Sequence, residues 1–221
     1  MVDILEQIAY CVEFGKINKA SPYPQDLKGQ NGTDELTKKA LDEGVPPDDI
    51  LQEAFVLAMN KVGHKFSEKK IFVPQMLMSA KAMSTGMEHL KPFFQSGEVQ
   101  RKGKFVIGTV SGDLHEIGKN LASMMIEGAG WEVIDLGVDV KTDKFMEQLA
   151  LDSNCVIGLS ALLTTTMVNM EDTVNKLKEK YPDVRIIIGG APITENFKNQ
   201  IGADFHAPEP QSAVEFLNQI V

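Results

Sequence analysis

The stretch FVIGTVSGDLHEIGKNLASMMIEGAG, residues 105–130, joins three kinds of sequence in a fixed order. An apolar, β-branched run comes first, a polar loop with glycine follows, and apolar residues then recur at helical spacing. Short apolar runs bounded by turn residues are typical of strands buried on both faces, as in parallel sheets. We therefore predict a strand, a loop and a helix, the repeating unit of an α/β fold.

The rest of the C-terminal half repeats this unit. Helical patterns separate four further β-branched runs, which are WEVIDL (131–136), CVIGLS (155–160), VRIIIG (184–189) and ADFHA (203–207). Five strand–helix units at this spacing predict a flavodoxin- or Rossmann-like parallel sheet of five strands in an α/β fold. In the flavodoxin-like order 2-1-3-4-5, strands one, three and four are neighbours.

The N-terminal half is helical in pattern. Apolar residues recur at helical spacing in four segments, near Leu5, after Thr33, from Pro47 and from Pro74, and the last helix is expected to stop before Pro92. Four helices with short turns predict a four-helix bundle.

A polar, glycine-bearing segment, QSGEVQRKG (95–103), separates the two halves. We predict a helical domain over residues 1–95, a linker over 96–103 and an α/β domain over 104–221. Within the helical half, the polar stretch from about Asn18 to Gly32 is expected to be a loop.

Composition excludes several classes of protein. The net charge is −9, from 22 basic and 31 acidic residues, which argues against a nucleic-acid binder. Cys11 and Cys155 form no CxxC pair, so neither a cysteine zinc site nor a disulfide framework is indicated. No segment reaches the ~18 apolar residues that span a bilayer, and the N-terminus lacks the basic region of a secretory signal. We therefore expect a cytoplasmic protein without a membrane segment.

The predicted fold also indicates where a ligand binds. In open parallel sheets, ligands bind outside the carboxyl ends of the strands, at the point where the strand order reverses. The loops after strands one, three and four are SGDLHEIG (111–118), SALLTTT (160–166) and GGAP (189–192), and they are rich in glycine and hydroxyl groups. We expect the binding site among these three loops.

Common motifs fail in the first loop. Lys119 stands where the second histidine of HExxH would be, Asp113 and Asn120 break the P-loop pattern, and no GxGxxG follows the first strand. One histidine remains, His115, two residues after Asp113. Imidazole is a common ligand of transition metals, and a carboxylate on its second nitrogen fixes the tautomer and the basicity. We therefore predict that His115 binds a metal and that Asp113 orients it.

The same residues resemble a known family. GDLHEIGKN (112–120) resembles the DxHxxG signature of B12-binding domains, in which cobalamin binds base-off with histidine on cobalt. GLSALLTTTM (158–167) resembles the SxL motif of that family, GGAP (189–192) resembles its GG motif, and DLGVDV (135–140) also fits. The motifs occur in order and at the expected strand ends across residues 103–221.

The first half extends the resemblance. KVGHKFSEKKIFVPQMLMSAKAM (61–83) is similar to the helical cap of methionine synthase and of the corrinoid proteins of methanol, methylamine, glycine betaine and methoxyaromatic methyl-transfer systems. The chain departs from that pattern at Glu116, where aspartate is usual, and in the stretch Gly15–Gly32, which is longer than usual.

The resemblance implies roles for single residues. His115 would be the lower ligand of cobalt, Asp113 would hydrogen-bond its other nitrogen, and Thr166 would continue this relay. Ser160 and Leu162 would contact the inserted nucleotide tail. The other residues expected to contact the cofactor are Leu114, Glu116, Ile117, Gly118, Thr164, Gly189 and Gly190. In the cap, Phe72, Met76 and Leu77 are expected to cover the upper face of cobalt.

The function that the resemblance implies is methyl carriage. A substrate-specific methyltransferase would place a methyl group on Co(I), and a second methyltransferase would take it from methyl-Co(III) to tetrahydrofolate or a thiol. A reductive activase is a further expected partner. The chain itself is expected to be a carrier subunit that is not catalytic alone.

Three alternatives stay open. The first is the B12-binding subunit of an adenosylcobalamin mutase, which also carries DxHxxG but lacks a helical cap before it. The second is a B12-binding sensor, which would need a DNA-binding module. The third is a flavodoxin-like binding protein without a corrinoid.

Overall fold

The computed structural model describes residues 3–220, which form two compact units. The first unit contains the chain up to Arg101 together with Gly128–Gly130, and the second contains Lys102–Glu127 and the chain from Trp131 onward. The first unit is helical, and the second is built on a parallel sheet.

Four helical runs make up the first unit, as the sequence predicts. The first, second and fourth runs are α1 (Ile4–Glu13), α2 (Thr33–Asp42) and α5 (Val73–Ser96). The third run is continuous and consists of α3 (Pro47–Asp49), a π-helical segment (Ile50–Val56) and α4 (Leu57–Ser67). Their apolar faces bury a common core that includes Val12, Ile50, Phe55 and Leu90. The spacing of apolar residues along each run therefore predicts the bundle because those residues share one helix face.

The last helix is longer than predicted. α5 continues through Pro92 to Ser96, and Gly97, with a φ of 79°, ends it. The expected stop before Pro92 is therefore wrong. Proline removes one backbone donor, but only the last turn follows it, and the buried Leu90 holds the preceding turn in the core. Within residues 3–220, no helix, α5 included, combines the length and apolar character that a membrane crossing requires.

The long polar stretch of the helical unit is a loop closed at its base. The backbone N–H and the hydroxyl of Thr33 both donate to the carbonyl of Lys16, each at 3.0 Å. The Glu35 carboxylate accepts the Gly32 N–H at 2.8 Å, and the fully buried Lys16 ammonium donates to the Ser21 carbonyl at 2.9 Å. These bonds satisfy polar groups that the closed loop removes from water.

The second unit contains the predicted five-stranded parallel sheet in the order β2-β1-β3-β4-β5. Its strands are β1 (Lys104–Thr109), β2 (Glu132–Asp135), β3 (Val156–Ser160), β4 (Ile186–Gly189) and β5 (Phe205–Ala207). The connecting and final helices are α6 (Ile117–Gly128), α7 (Thr142–Leu151), α8 (Met167–Lys180), α9 (Glu195–Ile201) and α10 (Pro210–Gln219). Both the fold class and the strand order are thus confirmed.

The apolar runs of the strands form the core of this unit. Val106, Ile157 and Ile188 are at most 1% exposed and pack in one cluster with Phe145 of α7 and Val174 of α8. Full burial of such a side chain stabilises the fold by about 1.5–3 kcal/mol. The central strands can therefore be apolar throughout.

The register of the strands brings their carboxyl ends into one line. Thr109 of β1 pairs with Ser160 of β3, Ser160 with Gly189 of β4, and Gly189 with Ala207 of β5. The loops that follow these four strands consequently leave the sheet from adjacent points on one edge.

Candidate functional site

The loop after β1 holds His115 against Asp113. Nδ1 of His115 lies 2.7 Å from Oδ1 of Asp113, and the backbone N–H of His115 donates to the same oxygen at 3.1 Å. The hydroxyl of Thr109, the last residue of β1, donates to the His115 carbonyl at 2.9 Å. The His115 side chain remains 49% exposed, so the loop presents the ring outward from a buried anchor.

Asp113 is that anchor, and it is fully buried. Its second oxygen, Oδ2, accepts the backbone N–H groups of Leu162 at 2.7 Å and Leu163 at 3.2 Å and the Thr166 hydroxyl at 2.8 Å. Burial by itself would raise the pKa of Asp113, but the hydrogen bonds from Leu162, His115 and Thr166 together lower this pKa well below its ordinary value. The carboxyl group is therefore ionised.

An ionised Asp113 decides which imidazole nitrogen carries the proton. A carboxylate only accepts hydrogen bonds, so Nδ1 of His115 must be the donor across the 2.7 Å contact. Whenever the ring carries a single proton, Nε2 keeps its lone pair, and no group in the described part of the chain hydrogen-bonds to it. A ring with one nitrogen tied to a carboxylate and the other free to donate electrons is the usual form of a metal-binding histidine.

Thr166 completes the chain of contacts. Its hydroxyl lies 2.8 Å from Oδ2 of Asp113 and 2.9 Å from the Leu163 carbonyl. A hydroxyl has a single proton to donate, and the ionised carboxylate is the stronger acceptor of the two. The structure thus brings together the three residues of the predicted relay, and their roles at a cobalt ion stay predictions.

A cavity of about 650 Å³ opens beside His115. This volume lies within the ~300–1,000 Å³ typical of small-molecule sites. The predicted site residues that line it are Leu114, His115, Glu116, Ile117, Gly118, Ser160, Leu162, Gly189 and Gly190. Thr164 is not among the lining residues and is exposed in the short 3-10 turn Thr164–Thr166.

The backbone requires glycine at one position of the cavity lining and not at another. Gly190 has a φ of 129°, and a Cβ there would lie 1.8 Å from the Ala161 carbonyl oxygen, so the turn itself requires glycine. A Cβ on Gly118 would meet no atom within 4 Å. The fold therefore has room for a side chain at Gly118, although that side chain would project from the wall of the cavity.

Sequence reasoning missed one wall of the cavity. The loop after β5 supplies Ala207, Pro208 and Glu209, and α10 adds Pro210 and Ala213. The rule that ligands bind at the carboxyl edge applies to β5 as well and could have indicated this loop. The amides of Leu162 and Leu163 were also missed, and no residue-type signal marks a backbone donor.

The three predicted cap residues lie at the start of α5 in the helical unit. Phe72 is 66% exposed and Leu77 is 39% exposed, whereas Met76 is fully buried. The side chains of Phe72 and Leu77 are therefore accessible to a ligand, and the role of all three residues stays a prediction.

The donor set at His115 suits a metal that a macrocycle already holds. Protein sites for a free zinc ion usually combine three or four ligating side chains. The described residues contain no group of three or more His, Cys, Asp or Glu side chains that could hold a metal ion. One imidazole nitrogen would be enough for a cobalt that a corrin ring already holds, and the adjacent cavity would offer space for the cofactor's tail. The residues present thus fit a corrinoid.

Comparison with known proteins agrees with this fit. Two families, both described as B12 binding domains, match the chain, one over residues 103–215 and the other over residues 30–91. A corrinoid protein of Desulfitobacterium hafniense (strain Y51) is 39% identical over 192 residues, which cover 85% of this chain and 89% of that protein. Trimethylamine corrinoid protein 1 of Methanosarcina acetivorans is 37% identical over 190 residues, which cover 84% of this chain and 87% of the relative.

A solved structure is also similar. The crystal structure of the methanol:cobalamin methyltransferase complex from Methanosarcina barkeri contains a chain that matches with a TM-score of 0.83 and 27% sequence identity. The match covers 98% of this chain and 79% of that chain. The similarity therefore extends over both the helical and the α/β unit.

Proposed function

This chain belongs to the B12-binding family and, within it, to the corrinoid proteins, and we propose that it carries a methyl group on a corrinoid bound base-off with His115 as the lower cobalt ligand. One observation supports this most directly. The fully buried Asp113 holds Nδ1 of His115 at 2.7 Å, and His115, whose Nε2 would then donate an electron pair, lines a cavity of about 650 Å³.

The cavity would take the nucleotide tail of the cofactor. If His115 took the place of the benzimidazole on cobalt, the tail would need a site of its own. Ser160, Leu162 and Gly189 line this cavity at the carboxyl edge of the sheet. Its wall is largely apolar, with Phe105 and Ile107 among the lining residues, which suits an aromatic base.

The residues of the relay adjust the ligand. When bound, the corrinoid supplies a cobalt that takes up a methyl group and releases it to an acceptor. The negative charge of Asp113 favours electron donation by Nε2 of His115, because it stabilises the proton on Nδ1. Thr166 and the amides of Leu162 and Leu163 keep that charge in place by satisfying Oδ2.

We propose two kinds of enzyme as partners. A substrate-specific methyltransferase would deliver the methyl group, and a tetrahydrofolate- or thiol-dependent methyltransferase would remove it, with a reductive activase restoring the reduced cofactor. The relative named as a trimethylamine corrinoid protein and the matched chain of the methanol:cobalamin methyltransferase complex support small methylated compounds as the donor class. The four-helix unit before the sheet supports the methyl carrier over the mutase alternative.

Cobalt ligation can be tested with two histidine variants. The parent, His115→Ala and His64→Ala are each reconstituted with hydroxocobalamin, passed through gel filtration and reduced to Co(II). His64 is the matched control because it is an exposed histidine on α4. We expect one cobalt per chain in the parent and, in its EPR spectrum, a triplet splitting from one nitrogen that His64→Ala keeps and His115→Ala loses. If His115→Ala keeps the triplet, another nitrogen binds cobalt and the assignment is wrong.

Methyl carriage needs a separate test. The cobalamin-loaded chain is reduced, methylated with labelled methyl iodide, and mixed with a thiol-dependent or a tetrahydrofolate-dependent methyltransferase. We expect the label to appear in the methylated acceptor of one of the two enzymes. A chain that shows the nitrogen triplet but passes its label to neither acceptor would count against the carrier role.

A further inference from the structure

We propose that Asp139, in the loop between β2 and α7, is a positioning residue that holds the His115 loop in the geometry needed to bind cobalt. The inference rests on the proposed function for the identity of the ligand. The way Asp139 holds the loop is a property of the protein alone.

Asp139 contacts Asp113 and the two residues that precede it in the loop. Its Oδ1 accepts the backbone N–H of Gly112 at 2.7 Å and the hydroxyl of Ser111 at 3.2 Å. Its own backbone N–H donates to the carbonyl of Asp113 at 3.0 Å. One residue thus binds the chain immediately before Asp113 and Asp113 itself.

The backbone of Asp139 is in an unfavourable conformation. Its φ is 52°, in the left-handed region that residues other than glycine rarely adopt. The following residue, Val140, donates its N–H to the Thr109 carbonyl at 2.9 Å, which holds the strained position against the end of β1. Strain of this kind persists where the surroundings over-determine the conformation, and it concentrates at functional sites. Glycine would adopt this conformation more easily, but it would lack the carboxylate that binds Ser111 and Gly112.

A second side chain holds the same turn. The Asn169 amide donates to the Ser111 carbonyl at 2.7 Å from α8. Gly112 has a φ of 83°, so the turn that Asp139 and Asn169 hold is a sharp one. Fixed side chains and a fixed main chain are both needed to hold a ligand within about 0.5 Å of its productive position.

Different groups hold the side chain and the main chain of Asp113. Leu162, Leu163 and Thr166 hold its carboxylate, whereas Asp139 holds its main chain. Loss of the Asp139 carboxylate should therefore loosen the Ser111–Gly112 turn, which Asn169 alone would then hold, and let the His115 ring move, while Asp113 stays buried. The expected result is weaker ligation without loss of the fold.

Two substitutions separate the carboxylate from the backbone conformation. Asp139→Gly tolerates the left-handed conformation and keeps the N–H to Asp113, so it removes only the bonds to Ser111 and Gly112. Asp139→Asn retains an amide oxygen that can accept both bonds, and asparagine adopts this region more readily than most residues. Asp152→Asn is the control, because Asp152 is hydrogen-bonded to Lys104 at the opposite end of β1.

The first readout uses the protein without cofactor. Hydrogen exchange of the Gly112 amide should be about tenfold faster or more in Asp139→Gly, the effect expected for loss of a bond to a charged acceptor. It should rise by a smaller factor in Asp139→Asn, whose amide oxygen is a neutral acceptor, and stay near the parent rate in Asp152→Asn. Unchanged exchange in Asp139→Gly would show that the carboxylate does not hold the turn, and would overturn the inference.

The second readout is the nitrogen triplet in the EPR spectrum of the Co(II) form. The equilibrium constant for histidine ligation should fall ~10-fold or more in Asp139→Gly, as for other groups that orient a ligand, and Asp139→Asn should restore it. Faster Gly112 exchange with an unchanged triplet would overturn the positioning role. A parent protein without the triplet would refute histidine ligation itself, and the exchange measurement would then decide separately whether Asp139 holds the loop.

Discussion

Replacing Asp113 by asparagine should switch the tautomer of His115 and so remove the electron pair that, in the proposed function, binds cobalt. In the parent, Oδ2 of Asp113 faces three donors, the N–H groups of Leu162 and Leu163 and the hydroxyl of Thr166. Oδ1 faces the N–H and Nδ1 of His115. An asparagine amide has one oxygen and one NH₂ group, so it cannot accept from both sets.

The better orientation places the amide oxygen toward the three donors. The NH₂ group then points at His115, whose Nδ1 must become an acceptor, and the ring hydrogen moves to Nε2. The lone pair that would bind cobalt is lost in this tautomer, as happens when the carboxylate beside a catalytic histidine is replaced by an amide. The opposite orientation would restore ligation, but it places the NH₂ group against the backbone donors of Leu162 and Leu163, at 2.7 and 3.2 Å, and makes the Thr166 hydroxyl accept instead of donate.

The size of the effect follows from these contacts. In the better orientation the N–H of His115, 3.1 Å from the former oxygen, faces another donor, and an unsatisfied buried group costs about 1–3 kcal/mol. We expect the free energy of unfolding to fall by a similar amount, about 1–3 kcal/mol. Ligation through Nε2 must reverse the tautomer at a cost of about 2 kcal/mol or more, which is a factor of roughly 30 and lies within the ~10–100-fold range for such partners.

The assay compares Asp113→Asn with Asp152→Asn, a carboxylate-to-amide change at the other end of β1. The fraction of cobalt with the nitrogen triplet is measured by EPR, and stability is measured by urea unfolding. We expect both quantities to fall in Asp113→Asn and the triplet to persist in Asp152→Asn. A full triplet in Asp113→Asn at the parent's cobalamin affinity would refute the reasoning that the carboxylate sets the tautomer.

Three further predictions concern other parts of the protein. Gly118→Leu should fold normally, since leucine favours the helix by nearly 1 kcal/mol over glycine and a Cβ there meets no atom within 4 Å. It should weaken cobalamin binding, measured by titration, and a variant that binds cobalamin as tightly as the parent would show that the nucleotide tail lies elsewhere. Thr166→Val should lower the free energy of urea unfolding by about 1.5–3 kcal/mol because Asp113 loses a donor, whereas Thr166→Ser should not; equal losses in both would point to packing as the cause. Burial raises the pKa of the Cys11 and Cys155 thiols from 9.0 to about 11, so both thiols should react slowly with Ellman's reagent at about pH 8 while the protein is folded, and rapid labelling of the native protein would contradict the burial. The stability that the two buried thiols contribute should be present below about pH 9 and be lost as the pH rises through 11.

The positions of most elements could be predicted from local sequence. The helical patterns at residues 142–151 and 167–180 match α7 (Thr142–Leu151) and α8 (Met167–Lys180). The strands match to within two residues at each end, because a strand buried on both faces needs a continuous apolar run that ends where the chain reaches the surface. Pro92 is the exception, since the effect of a proline depends on how many helix bonds remain beyond it and on what the preceding turn packs against.

The candidate histidine could also be predicted from sequence, because Asp113 and His115 belong to one short loop after an apolar run. A two-residue separation keeps the two side chains close together in one loop, and the rule for open sheets places that loop at the ligand-binding edge. The polar loops 160–166 and 189–192 could be assigned to the same edge for the same reason.

The groups that set the chemistry of that histidine are decided by the tertiary structure. The amides of Leu162 and Leu163 reach Asp113 across 49 and 50 residues, and Asp139 reaches Gly112 across 27. Every residue other than proline has a backbone N–H, so no letter in the sequence marks the two that meet a buried carboxylate. Their direction depends on how β3 pairs with β1 and on where each loop leaves the sheet. Local sequence therefore predicts His115 as the candidate metal ligand. The pairing of distant strands decides which ring nitrogen carries the proton and in which direction the ring points.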